Sequence, residues 1–210
     1  PTLIPYYNAA GDAGAIWVAD LLADGAPARS IYFDRMISTL NLTARLEACS
    51  PVQDTITVQL RSVTSPYGIV DSKRAVLSNL GTATVNFTNA VSGTSYYIAV
   101  LHRNSIETWS KSGGETFVNG QLSYDFTTAA SQAFGNNMIL VGSDYSFYTG
   151  DTNQDGLVDG TDFNAIDNDA FAFAGGYIVT DLNCDDIVDV TDLAYADNNA
   201  FNFVGSIIPN

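Results

Sequence analysis

Two stretches near the C-terminus place oxygen-bearing side chains at the same spacing. In the first, Asp151, Asn153, Asp155, Asp159 and Asp162 occupy positions 1, 3, 5, 9 and 12 of a twelve-residue segment; Asp181, Asn183, Asp185, Asp189 and Asp192 repeat the pattern thirty positions on. Leu157 and Ile187 fall at position 7, where a loop of this length offers its backbone carbonyl to a bound ion. An all-oxygen donor set of this size suits calcium, whereas magnesium tolerates such cages poorly and zinc prefers nitrogen and sulfur. The residues therefore predict two Ca2+ ions, one per loop, with the side chains of Leu157 and Ile187 turned toward a core.

Electrostatics points the same way. Each loop gathers four carboxylates: Asp151, Asp155, Asp159 and Asp162, then Asp181, Asp185, Asp189 and Asp192. Held about 5 Å apart, each pair repels by roughly 0.8 kcal/mol even at the dielectric of water, or roughly 5 kcal/mol per loop. A divalent cation reverses the sign of that repulsion.

The duplication extends past the ligands. Between residues 151–175 and 181–205, 13 of 25 aligned positions are identical. Phe163, Ile166 and Ala170 in the first copy, and Leu193, Ala196 and Ala200 in the second, recur at three and four positions, the period of a short helix with one apolar face. A calcium loop followed by a helix, twice over, resembles the type I dockerin module. That resemblance implies an EF-hand-type calcium module and a cohesin-like protein partner, chosen around Gly160-Thr161 and Val190-Thr191. Two departures stand out: position 6 is Gly156 in the first loop but Asp186 in the second, where a positive φ is expected, and the helices lack the basic residues common in dockerins.

All eight Lys and Arg lie at or before Lys111, so residues 150–210 carry twelve Asp and no basic side chain within a chain of net charge -15. With no basic patch to meet phosphates, nucleic acid is excluded as a partner. No run reaches the apolar length of a membrane span. Numbering that begins at Pro1 suggests a processed product or a fragment, and loops of this kind suit the calcium of an extracellular medium. Cys49 and Cys184 are the only cysteines. In an oxidising compartment they could form a disulfide between the β region and the second loop, and the alternative is two buried thiols.

Ahead of the loops, apolar residues alternate with polar ones: Leu40, Leu42, Ala44 and Leu46; Ile56, Val58 and Leu60; Ala83, Val85 and Phe87; Tyr97, Ala99 and Leu101; Leu122, Tyr124 and Phe126. Turn signals at Ser65-Pro66-Tyr67-Gly68, Ser92-Gly93 and Gly113-Gly114 separate them. The chain is expected to be mainly β, an antiparallel β-sandwich (Ig-like or jelly-roll-like) over residues 39–149, followed by a small α-helical dockerin-like module over 150–210. Residues 58–148 also resemble a β module that precedes dockerin-like tails in large secreted bacterial proteins, through Asp71-Ser72-Lys73-Arg74-Ala75-Val76-Leu77, Leu101-His102-Arg103-Asn104 and Tyr124-Asp125-Phe126-Thr127-Thr128. This resemblance implies secretion and surface work and names no reaction.

Other chemistry is weaker. His102, the only histidine, would need a nucleophile and an orienting acid beside it to be catalytic, and a hydrogen-bonded structural role is expected instead. Glu107 and Glu115 are read as a solvated edge rather than a glycosidase pair. Asn41-Leu42-Thr43 and Asn86-Phe87-Thr88 fit the N-glycosylation pattern, and Asp54-Thr55-Ile56 an O-glycosylation signal, so covalent glycans are a further expectation.

Residues 1–38 read as an arm with apolar segments at 2–7, 16–22 and 30–33. These either join the chain's own sandwich or donate a strand to the open sheet edge of the next subunit. The leading expectation is a non-enzymatic, secreted bacterial structural protein, a calcium-stabilised subunit that polymerises head to tail with itself. The alternatives are a dockerin-type module docking a cohesin-like partner, and an accessory region of a secreted hydrolase.

Overall fold

The computed structural model describes Tyr6–Tyr7, Ala13–Gly14 and residues 37–210. The chain divides into two units, Pro1–Arg35 and Met36–Asn210. In the first, β1 (Tyr6–Tyr7) pairs antiparallel with β2 (Ala13–Gly14). The rest of the arm, and with it the donated strand, lies outside the described residues.

Alternation builds the second unit. In β3 (Ser38–Thr43), β4 (Asp54–Ser62), β5 (Ile69–Leu77) and β6 (Thr82–Phe87), successive side chains point to opposite faces, so Leu40 and Leu42, Ile56, Val58 and Leu60, and Ala83, Val85 and Phe87 all turn inward. The next strands are β7 (Ser95–His102), β8 (Ser105–Trp109), β9 (Glu115–Thr116) and β10 (Gln121–Asp125). A hairpin of β11 (Ile139–Val141) and β12 (Asp144–Ser146) follows. Two helices, α1 (Gly160–Phe171) and α2 (Val190–Phe201), close the chain.

The strands form a three-stranded sheet, β10-β3-β6, and a five-stranded sheet, β5-β4-β7-β8 with β9 also paired to β7. Their inner faces share one core containing Leu40, Phe87 and Phe126 from one side and Val58, Leu60 and Ile98 from the other. Two sheets packed over a common apolar layer make a β-sandwich. The three predicted turns fall in loops between strands, at the β4–β5, β6–β7 and β8–β9 connections.

Two details differ from the sequence expectation. β10 runs parallel to β3, with Leu122 opposite Leu40 and Tyr124 opposite Leu42, so the sandwich is not wholly antiparallel. In β7 it is Tyr96, Ile98 and Val100 that enter the main core, while Tyr97 and Ala99 pack with Trp109 in a separate cluster on the opposite face. A strand covered on both faces has no polar side, so its alternation does not reveal which face is inner.

Candidate metal centres

Each helix begins where an acidic loop ends. Asp159 and Asp189 are the N-caps, and each accepts a hydrogen bond from the backbone two residues on, at Thr161 or Thr191. Asp162 and Asp192 return the favour by accepting from the N-cap backbone at 3.0 and 2.9 Å. This reciprocal capping box satisfies donors that a helix start leaves unpaired. It also fixes loop positions 9 and 12 relative to one another.

The two loops are internally equivalent. Asp151 accepts from the backbones of Asp155 and Gly156, both at 3.1 Å, and Asp181 accepts from those of Asp185 and Asp186 at 3.2 and 3.3 Å. Asn153 Oδ1 accepts from the Asp155 backbone and Asp155 from that of Leu157; Asn183, Asp185 and Ile187 repeat this. Asp162 accepts from the backbones of Thr152 and Asn153, and Asp192 from those of Leu182 and Asn183. At position 6, φ is +89° for Gly156 and +68° for Asp186, so the aspartate adopts the left-handed geometry anticipated for it.

Position 7 corrects one expectation. The side chains of Leu157 and Ile187 are 55% and 58% exposed, and the residues that enter the core are their neighbours Val158 and Val188. The cause is a backbone exchange between the repeats. Leu157 bridges Gly205 beyond the second helix, and Ile187 bridges Gly175 beyond the first. Val158 N–H donates to the Val204 carbonyl at 2.9 Å, and Val188 N–H to the Ala174 carbonyl at 3.0 Å. A Cβ at Gly175 would lie 2.4 Å from the Asp186 carbonyl oxygen, and one at Gly205 3.2 Å from that of Gly156. At Gly175 only glycine permits the approach, whereas at Gly205 a side chain would force its neighbours to give way.

Asp151, Asp162, Asp181 and Asp192 are buried. Burial, reinforced by the charges of Asp162 and Asp155, pushes the Asp151 carboxyl up to about 6; burial also raises that of Asp181. Each loop thus buries two carboxyl groups in a segment that itself has no Lys or Arg. The donor set of Asp151, Asn153, Asp155, Asp159, Asp162 and the Leu157 carbonyl, with its counterpart in the second loop, therefore fits calcium chemistry. Among the described residues the one cluster bringing three His, Cys, Asp or Glu ligand atoms within 4.8 Å of one another lies elsewhere, at Cys49, Asp54 and Cys184. That cluster does not suit a metal, because its two sulfurs are bonded to each other.

The Cys49–Cys184 disulfide is one of several ties between the β layers and the loops. Asp54 is another centre. It accepts from Arg103 Nε at 3.1 Å, from the Tyr177 hydroxyl at 2.7 Å and from the Thr55 backbone at 2.6 Å, and lies 2.9 Å from His102 Nε2. Although burial alone would raise it, hydrogen bonds from His102 and Tyr177 and the nearby histidine hold its carboxyl well below the usual range. Arg103 donates onward to the Ile178 carbonyl and lies over the Tyr177 ring. Asn104 donates to the Asp181 carbonyl at 3.0 Å, and Asn199 donates to Glu47 at 2.7 Å and to the Thr149 carbonyl at 2.8 Å.

His102 thus has both neighbours that a catalytic reading requires, with Nδ1 3.2 Å from Ser105 Oγ. All three side chains are buried, and Asp54 is shared among Arg103, Tyr177 and Thr55. A nucleophile must reach its substrate, so the geometry makes a strut rather than a triad. Glu107 and Glu115 each have their own partners, Arg61 with Trp109 and Lys111. Asn41 and Asn86 are exposed on β3 and β6.

No family model and no curated protein matches the chain. Similarity is found among solved structures. A C-terminal interface mutant of the type II Cohesin-X-Dockerin complex from Acetivibrio cellulolyticus has a TM-score of 0.48 and 14% identity, covering 79% of this chain and 99% of that one. An N-terminal interface mutant of that complex gives 0.44 at 14% identity, covering 80% and 97%.

Proposed function

We propose that this chain is a secreted bacterial structural protein whose C-terminal loops each hold one calcium ion, in the manner of a dockerin-like module, and so stiffen a subunit of an extracellular assembly. The observation that carries this reading is the burial of Asp151, Asp162, Asp181 and Asp192 in a segment without a basic residue. Calcium neutralises that charge and holds the loop–helix repeats closed. The disulfide, Arg103, Asn104 and Asn199 then join the closed tail to the sandwich. No step in this function is catalytic.

Assembly proceeds head to tail through exchange of the N-terminal strand. The apolar residues 2–7 support it, as does the fact that neither sheet closes on itself among the described residues. Electron microscopy of the calcium-loaded chain, with and without residues 1–25, tests this. Filaments lost on deletion, with calcium binding intact, support strand exchange, and filaments that persist dispose of it.

A second reading, a module that docks a cohesin-like partner, is favoured by the repetition of loop, helix and exposed helix end. Binding to immobilised cohesin by the full chain, abolished by chelator, distinguishes it.

A further inference from the structure

At position 4 the two loops share a backbone shape and differ in chemistry. Gln154 and Cys184 adopt the same left-handed conformation, with φ of +60° and +61°, and both side chains reach the β layers. Gln154 Nε2 donates to the Ser105 carbonyl at the start of β8, at 3.4 Å, and to the Asp151 carbonyl of its own loop at 2.6 Å. Cys184 is instead bonded to Cys49 in the β3–β4 connection, and its sulfur accepts from Arg103 Nη2 at 3.1 Å. One loop is tied to the sandwich here by a long hydrogen bond, the other by a covalent bond.

Cys184 lies between Asn183 and Asp185, loop positions 3 and 5 of the proposed donor set. Asn104 fixes the first residue of that loop, through the Asp181 carbonyl, and the disulfide fixes its middle. A tether that holds two donors in place removes freedom that the ion would otherwise have to take away, and so raises affinity. The first loop has no equivalent help, because a 3.4 Å hydrogen bond restrains Gln154 weakly.

The bond is also sheltered. Cys49 is 1% exposed and Cys184 is partly buried. A dithiol reductant must therefore attack Cys184 Sγ, breaking the S–S bond and expelling the Cys49 sulfur, which takes a proton. The second thiol of the reductant then attacks the mixed disulfide, releasing Cys184 as a thiol and leaving the reductant as its own disulfide. Two electrons and two protons pass to the protein. The departing Cys49 sulfur is negative and lies 3.8 Å from Asp54 Oδ2, an unfavourable pairing while the loop stays closed. Reduction thus requires the loop to open.

We propose that the Cys49–Cys184 bond makes the second loop a redox-tuned calcium site: intact, it holds the donors on either side of Cys184 in place; reduced, it weakens that site and spares the first. The inference rests on the calcium reading above and adds to it a regulation confined to one loop. Linkage makes the effect reciprocal, so calcium in the second loop protects the disulfide by the same factor.

Calorimetric calcium titration of the full chain, before and after reduction with dithiothreitol, tests it. Asp192→Ala silences the second loop and so assigns the two sites. Reduction is expected to weaken the second site about tenfold, equivalent to about 30 mV in the two-electron potential of the disulfide, and the first less than about twofold. Thiol alkylation read by intact mass gives a second measurement that starts from the oxidised chain: calcium should slow reduction of the wild type and not of Asp192→Ala. Should melts show the reduced chain unfolded, these rates alone decide. An oxidised chain that binds no calcium overturns the calcium reading together with this coupling. Two sites indifferent to reduction, or weakened equally by it, overturn the coupling alone, as does a reduction rate independent of calcium.

Discussion

Asn104 donates from its side-chain amide to the backbone carbonyl of Asp181 at 3.0 Å, and its own carbonyl accepts the Gly150 N–H at 2.7 Å. One fully buried residue in the β7–β8 turn thus anchors the start of the second loop and the residue just before the first. Asn104→Ala removes the side-chain donor and leaves the Asp181 carbonyl short of a partner. The expected loss is about 1–3 kcal/mol, measured by urea denaturation. Since the backbone carbonyl survives, calorimetry should find calcium affinity reduced more at the second loop than at the first.

The disulfide makes a separate contribution. It closes a loop across 135 positions, for which the chain-entropy argument sets an upper bound of about 5 kcal/mol. Cys49→Ser with Cys184→Ser should lower the melting temperature in scanning calorimetry while leaving two calcium sites. Loss of both sites would show that the loops form only when covalently tied to the sandwich.

In the proposed calcium sites Asp162 and Asp192 couple ligand and fold, because each also closes a capping box. Asp162→Ala should reduce calcium stoichiometry from two to one. It should also destabilise the chain in chelator by about 1–3 kcal/mol through the backbone donors it strands. Asp192→Ala should do the same at the second loop.

Asp54 gives a pH signature. Its folded pKa is depressed, so its contribution to stability is present above the ordinary carboxylate pKa and lost as pH falls through the folded value. In chelator, the stability gap between wild type and Asp54→Asn should be widest near neutrality and narrow steadily below about pH 4. Denaturation at a series of pH values measures it, and a gap independent of pH would remove Asp54 as the charged centre.

The loops were legible in the sequence because their signal is local. Aspartate spacing, helix period and duplication all lie within one short stretch, and the β-strand alternation of Leu40, Val58 and Val85 is equally local. What escaped depends on distant partners. Leu157 and Ile187 face outward because their backbones pair with Gly205 and Gly175 in the opposite repeat. β5 carries Asp71, Lys73 and Arg74, charges suited to an edge strand, and these mask its alternation. Asp54 draws its partners from His102 and Tyr177, 48 and 123 positions away, and nothing local foretells that.

The most direct test is calcium titration of the full chain by isothermal calorimetry, with a melt recorded before and after. Two sites per chain and a melting temperature raised by calcium are predicted. An absence of binding heat, with a melting temperature indifferent to calcium and chelator alike, would contradict the account.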